Sequence, residues 1–191
     1  RAVPEPAEVQ AKLDQLVPHY ASELLLPGRG SKLAGLRPVI ENSVITLFQT
    51  LQTQGIYIRA TEHKFDKTAQ FNVNGARIEV RVTGYIDVLA ADQQEQPVVI
   101  DLKWTNRPKY RREEISKGDA MQLALYHWAL DNGPDPMSTV AEDAAMSYYL
   151  LKQGEFASTS KLFGSALASP ASSRSTWQRS VRAAEFSISE V

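Results

Sequence analysis

Between Ile78 and Val88 apolar and polar positions alternate: Ile78, Val80, Val82, Ile86 and Val88 take one side, and Glu79, Arg81, Thr83, Tyr85 and Asp87 the other. That is the period of a half-buried strand, and it puts Asp87 on the polar face of a strand predicted over residues 77–90. In residues 97–104, Val98, Ile100, Leu102 and Trp104 alternate with Val99, Asp101 and Lys103, so the acid and the amine project together. The polar stretch 92–96 between the two runs has the length of a hairpin loop. A hairpin symmetric about Gln94 sets Asp87 opposite Asp101, with Cβ atoms roughly 5 Å apart. Like charges facing each other destabilise a ladder, so the pair points to a cation held between them.

Elsewhere the apolar spacing changes to that of helices. Val9, Leu13, Leu16, Val17, Tyr20 and Leu24 predict a helix over about 5–26, interrupted or kinked at Pro18 and ended by Pro27-Gly28-Arg29-Gly30. Ile40, Val44, Leu47, Phe48 and Leu51 predict a second helix over about 38–54, stopped by Gly55. Residues 56–65 read as a strand and Asn74-Gly75 as a turn. Residues 106–117 read as a charged connection, 116–130 as a helix and 145–152 as a strand. The small, Ser-rich stretch 166–176 reads as a loop, and 177–185 as a closing helix. Helices and strands in this order predict an α/β sheet flanked by helices, one domain over 1–191 with an N-terminal helical arm of about 30 residues.

Composition narrows the chemistry. With 43% hydrophobic and 23% charged residues the chain is of globular type, and the lack of cysteine excludes disulfides, thiolate zinc sites and iron–sulfur clusters. A net charge of -1 argues against a uniformly basic nucleic-acid coat. The absence of a membrane-length apolar run or a signal-peptide core predicts a cytoplasmic protein without a membrane partner. A start without Met suggests processing or a piece of a larger protein.

Gly84-Tyr85-Ile86-Asp87, then Asp101-Leu102-Lys103, then Gln122 to Tyr126 resemble, in order and element type, the GxxD, DxK and QxxxY motifs of the RecB-type branch of the PD-(D/E)XK nuclease superfamily. The resemblance implies a restriction-endonuclease-like core with a mixed central sheet and a metal-dependent DNA nuclease. It further implies Mg2+ or Mn2+ as cofactor, DNA as substrate, and a helicase or other domain of a larger repair, recombination or phage-defence assembly as partner. Asp87, Asp101 and the Leu102 carbonyl would hold the metal, Lys103 would orient or deprotonate the attacking water, and Gln122 and Tyr126 would reach the phosphate or the ligand shell. The usual histidine of the first core helix is missing. Glu41 is a candidate replacement ligand, or else a first-turn residue complementing the helix dipole.

Phosphodiester hydrolysis suits this set. It needs an activated water, stabilisation of a charged transition state and a neutralised leaving group, all within reach of one hard divalent ion. Taken singly the residues have plainer readings. Asp101 and Lys103 also fit an exposed ion pair, and Tyr126 a helix–sheet contact with a solvated Gln122. Residues 103–117 carry a local excess of four positive charges, with Trp104 and Tyr110 interleaved. Arg107, Lys109, Arg111 and Arg112 are therefore candidates for a DNA backbone, or equally for a solvated loop. A nuclease fold that has lost activity and serves as a DNA-binding scaffold is the alternative function.

Overall fold

The structure is a computed structural model and describes residues 2–131, 144–169 and 171–189. Five strands form one sheet in the order β1-β2-β3-β4-β5: β1 Tyr57–Val73, β2 Ala76–Ala91, β3 Pro97–Lys103, β4 Ala145–Leu150 and β5 Glu155–Ser158. β3 and β4 are parallel and every other pair is antiparallel, so the sheet is mixed. Parallel neighbours require a crossover. Here it carries α3 Pro108–Lys117 and α4 Met121–Asp131. The remaining helices are α1 Pro6–Tyr20, α2 Gly30–Thr53 and α5 Ala171–Ser189. This is the α/β sheet flanked by helices that the element order predicts.

Two apolar layers sandwich the sheet. On one face Leu47 and Leu51 of α2 pack with Val88, Ala90, Val98, Ile100 and Tyr149, whose hydroxyl donates to the Ser43 carbonyl of α2 at 2.6 Å. On the other, Leu123, Tyr126, Ala129 and Leu130 of α4 pack with Phe65, Ile86, Leu89, Val99, Met146 and Tyr148. Residues 97–100 are therefore buried on both sides, as expected of a strand with a parallel neighbour.

Several elements depart from the sequence pattern. α2 begins at Gly30 and passes through Pro38, because Leu33, Leu36 and Ile40 meet Leu13, Leu16 and Val17 of α1 around an apolar cleft. Glu41 thus lies in mid-helix, and the first-turn reading is corrected. The charged connection after Asn106 is helical from Pro108: proline is preorganised for the first turn, and Gly118 at φ 70° ends the helix in a left-handed cap. The loop expected over 166–176 becomes α5 from Ala171. Its small Ser173 and Thr176 are buried, Trp177 stacks on Trp128 of α4 at 4.9 Å, and the Thr176 hydroxyl donates to the Gly118 carbonyl. Small side chains let this helix dock closely.

β1 is far longer than predicted, whereas β2 matches its predicted bounds to within one residue at each end. They pair from Tyr57↔Ala91 to Val73↔Ala76, while β2 meets β3 only from Val88↔Ile100 to Ala91↔Pro97. The outer half is a two-stranded ribbon beyond the sheet. That explains why Ile78 and Val80, on the expected apolar face, remain 37% and 44% exposed. Among the described residues no helix is long and apolar enough to cross a membrane.

Candidate active site

The hairpin loop fixes the register on which the site depends. Asp92 Oδ1 accepts hydrogen bonds from the Gln94 and Gln96 amides, both at 2.9 Å, and the strands leave the loop as Ala91↔Pro97. Counting inward, the ladder ends at Val88↔Ile100, and Asp87 and Asp101 are the next residues on the two strands. There Asp87 Oδ2 accepts the Leu102 amide at 2.8 Å, giving that N–H an acceptor beyond the end of the paired stretch.

Asp87 also sits where β2 changes face. Ile86 and Leu89 belong to the α4 layer, whereas Val88 and Ala90 belong to the α2 layer. Opposite it on β1, pairing skips from Thr61↔Val88 to His63↔Ile86, and the skipped residue, Glu62, has φ 50°. Left-handed backbone at a non-glycine residue is costly and persists where the surroundings enforce it. This irregularity aims Asp87 at β3 rather than into either layer.

Asp101 is almost fully buried, its side chain 1% exposed. Burial pushes its carboxyl above the ordinary range; Lys103 pulls it down and the neighbouring charge of Asp87 pushes it up further. Its Oδ1 accepts from Gln122 Nε2 at 2.7 Å and from the Tyr126 hydroxyl at 3.2 Å. Its Oδ2 lies 2.6 Å from Lys103 Nζ in an ion pair, yet makes no aligned hydrogen bond and is sealed from solvent. A buried carboxylate oxygen with open lone pairs beside a second carboxylate is suited to a cation.

α4 supplies the other half. Gln122 and Tyr126, four residues apart, project from one helical face. Gln122 Oε1 accepts from Lys103 Nζ at 2.6 Å, and its Nε2 reaches the Tyr126 oxygen at 2.6 Å as well as Asp101. Asp101, Lys103, Gln122 and Tyr126 are thus one hydrogen-bonded group, with the Tyr126 phenol held protonated by burial. Phe65 meets the Tyr126 ring edge-on at 6.2 Å and lies over Gly84, where a Cβ would come within 2.6 Å of the Phe65 ring. The glycine three residues before Asp87 thereby lets Phe65 support Tyr126.

Two further side chains lie against this group, Tyr148, which no period or motif marks, and Arg111, one of the basic candidates. Tyr148 on β4 is in register with Asp101, and its ring lies 5.5 Å from Lys103 Nζ and 5.7 Å from the Arg111 guanidinium carbon. Arg111 in turn is held by Glu114 at 2.7 Å. Arg111 is among the basic candidates of residues 103–117, whereas for Tyr148 the sequence offers only a tyrosine within a strand otherwise fit for complete burial.

The remaining candidates are spread more widely. Arg112 pairs with Glu155 of β5, Lys109 is 90% exposed and 4.0 Å from Glu113, and Arg107 is exposed at the start of α3. Glu41 accepts a hydrogen bond from Gln10 of α1. It does not join Asp87 and Asp101: among the described residues no three His, Asp or Glu side chains are grouped so as to hold one ion.

No curated protein sequence matches the chain. The crystal structure of SSO0001 is similar at 14% identity, with 97% of this chain and 71% of that chain covered and a TM-score of 0.35. Residues 2–190 match the PD-(D/E)XK nuclease superfamily, to which the mixed sheet and flanking helices also conform. The chain belongs to the PD-(D/E)XK nuclease superfamily.

Proposed function

We propose that this chain is a metal-dependent deoxyribonuclease of RecB type, working as the nuclease module of a DNA repair, recombination or phage-defence system alongside a helicase. The observation that carries the reading is the closed group of Asp101, Lys103, Gln122 and Tyr126 beside Asp87, within a chain of this superfamily. Asp87, Asp101 and the Leu102 carbonyl would hold Mg2+ or Mn2+, a donor set of hard oxygens that suits either ion. Such an ion supplies Lewis-acid activation of water and neutralisation of the phosphate.

The residues themselves do the rest. Gln122 holds the Lys103 ammonium and Asp101 in fixed relation, so the amine meets a bound phosphate already oriented. Tyr126, protonated, offers its hydroxyl to Asp101 and keeps that carboxylate from turning. A second reading, a scaffold that binds DNA without cutting it, is favoured by the absence, among the described residues, of any group of three His, Asp or Glu side chains able to hold an ion.

Cleavage of end-labelled single- and double-stranded DNA, with Mg2+, Mn2+ or EDTA, tests the proposal against Asp101→Ala. Metal-dependent products from the wild type and none from the variant are expected. DNA binding without cleavage in either would favour the scaffold.

A further inference from the structure

Tyr148 lies outside the three motifs, on the strand parallel to β3, yet it touches the site more broadly than any other residue of β4. Its ring is 1% exposed and wedged in the α4 layer, so it has little freedom to move. It stands in register with Asp101, one strand spacing away. The Lys103 ammonium and the Arg111 guanidinium lie 5.5 Å and 5.7 Å from its centroid, both within the range at which a cation is drawn to an aromatic face. Each cation has further tethers: Lys103 to Asp101 and Gln122, Arg111 to Glu114 and to the exposed Tyr110 ring, 5.6 Å from its guanidinium carbon. Arg111 is still 32% exposed, so its charge is not sealed away.

We infer that Tyr148 is a positioning residue whose ring holds Lys103 and Arg111 as a paired cation shelf, making Arg111 a second positive group for the phosphate that Lys103 serves. The inference rests on the nuclease reading of the same site. Its chemistry is that of charge stabilisation: two cations preset before substrate arrives cost no reorganisation when negative charge develops on the phosphate oxygens. Glu114 confers direction, since a guanidinium held on one edge presents the other. Arg111 thereby separates from Arg107 and Lys109, whose side chains are exposed at the start of α3.

The test compares single-turnover cleavage of a DNA duplex in Mn2+ by the wild type, Tyr148→Phe, Tyr148→Leu and Arg111→Gln. Tyr148→Phe keeps the ring and should stay within about twofold. Tyr148→Leu and Arg111→Gln should each lose roughly tenfold or more in the rate at saturating DNA, with the half-saturating concentration little changed, the size of a desolvated cation–π contact. The double variant should be no slower than the slower single one. Equal rates for Tyr148→Leu and Tyr148→Phe, a loss confined to DNA binding, or multiplicative losses in the double variant would each overturn the shelf. Urea unfolding of the same four proteins and the double variant gives an activity-independent readout. If the wild type does not cleave, the nuclease reading falls; non-additive unfolding then still supports the ring-to-Arg111 contact, and additive unfolding removes it.

Discussion

Lys103 donates to Gln122 Oε1 at 2.6 Å, while the amide nitrogen of the same glutamine donates to Asp101 at 2.7 Å. The side-chain amide, with one donor end and one acceptor end, satisfies an ammonium and a carboxylate at once. Gln122→Ala should therefore lower turnover by about 10- to 100-fold with near-normal DNA affinity. Gln122→Glu should fare no better, because it retains the partner of Lys103 but faces Asp101 with a second negative charge. Single-turnover rates at saturating DNA, set beside filter-binding affinities, check both.

Removing the amine itself is expected to cost more. Lys103→Ala should reduce the cleavage rate by roughly two orders of magnitude or more while DNA binding changes little, the mark of a group acting in the transition state. Lys103→Arg should not rescue, since a planar guanidinium cannot replace the compact ammonium that Asp101 and Gln122 hold. Equal losses in affinity and rate would make Lys103 a phosphate anchor instead.

Asp101 gives a prediction about stability and pH. Its folded-state carboxyl titrates above the ordinary value, chiefly through burial, so the native state binds more protons than the unfolded state between the two values. Stability from this group is full below the unfolded carboxyl value, about 3.9, and is lost as pH rises through the higher folded value. Asp101→Asn, neutral throughout, should melt above the wild type at pH 7 in EDTA, and the gap should close as pH falls below about 4. A gap that persists in acid would assign the gain to packing rather than ionisation.

Glu41 discriminates between a distant ligand and a tie to the N-terminal arm. It accepts from Gln10, which itself accepts from Arg37 at 2.9 Å. Glu41→Ala should cost about 1 kcal/mol of stability, that of a partly exposed hydrogen bond, and leave the cleavage rate within twofold. A large loss of cleavage, partly restored by Glu41→His in Mn2+, would return Glu41 to the metal shell.

The basic face of α3 has a salt signature. Neutralising Arg107 and Lys109 together should flatten the dependence of log affinity on log salt by about 2, since each phosphate contact contributes close to 0.9. Arg112→Gln should matter less, its charge being matched by Glu155. An unchanged slope on removing the first two would make them ordinary solvated residues.

Strand periodicity in β2 and β3 with a loop of the right length is enough to bring Asp87 beside Asp101, because the loop sets the register and a slip of one residue would turn every side chain to the other face. Helical spacing likewise brings Gln122 and Tyr126 together. What periodicity does not carry is context. α3 has too few apolar positions to show a period, and only Ile115 is buried, so its helicity rests on Pro108 and Gly118. α5 is hidden by small residues such as Ser173 and Thr176, which look like loop residues until the helix docks and buries them. Tyr148 reads as one more core residue because its role depends on Lys103 and Arg111, which are distant in sequence. The face change at Asp87, opposite the left-handed Glu62, leaves no trace in the sequence of either strand alone.

The ribbon formed by β1 and β2 has a thermodynamic consequence. Its inner half is locked under α2 and α4, whereas its outer half, from the turn at Asn74-Gly75 back towards Thr83, lacks a third strand and exposes most of its side chains. Amide exchange should thus be fastest at the turn and slow steeply towards Val88, with outer amides opening by local fraying and inner ones only when the whole domain unfolds. Glu62 and Asp87 stand at that boundary. Fraying can run down the ribbon and halt one residue short of the aspartate, so that the tip breathes while the carboxylate stays in place.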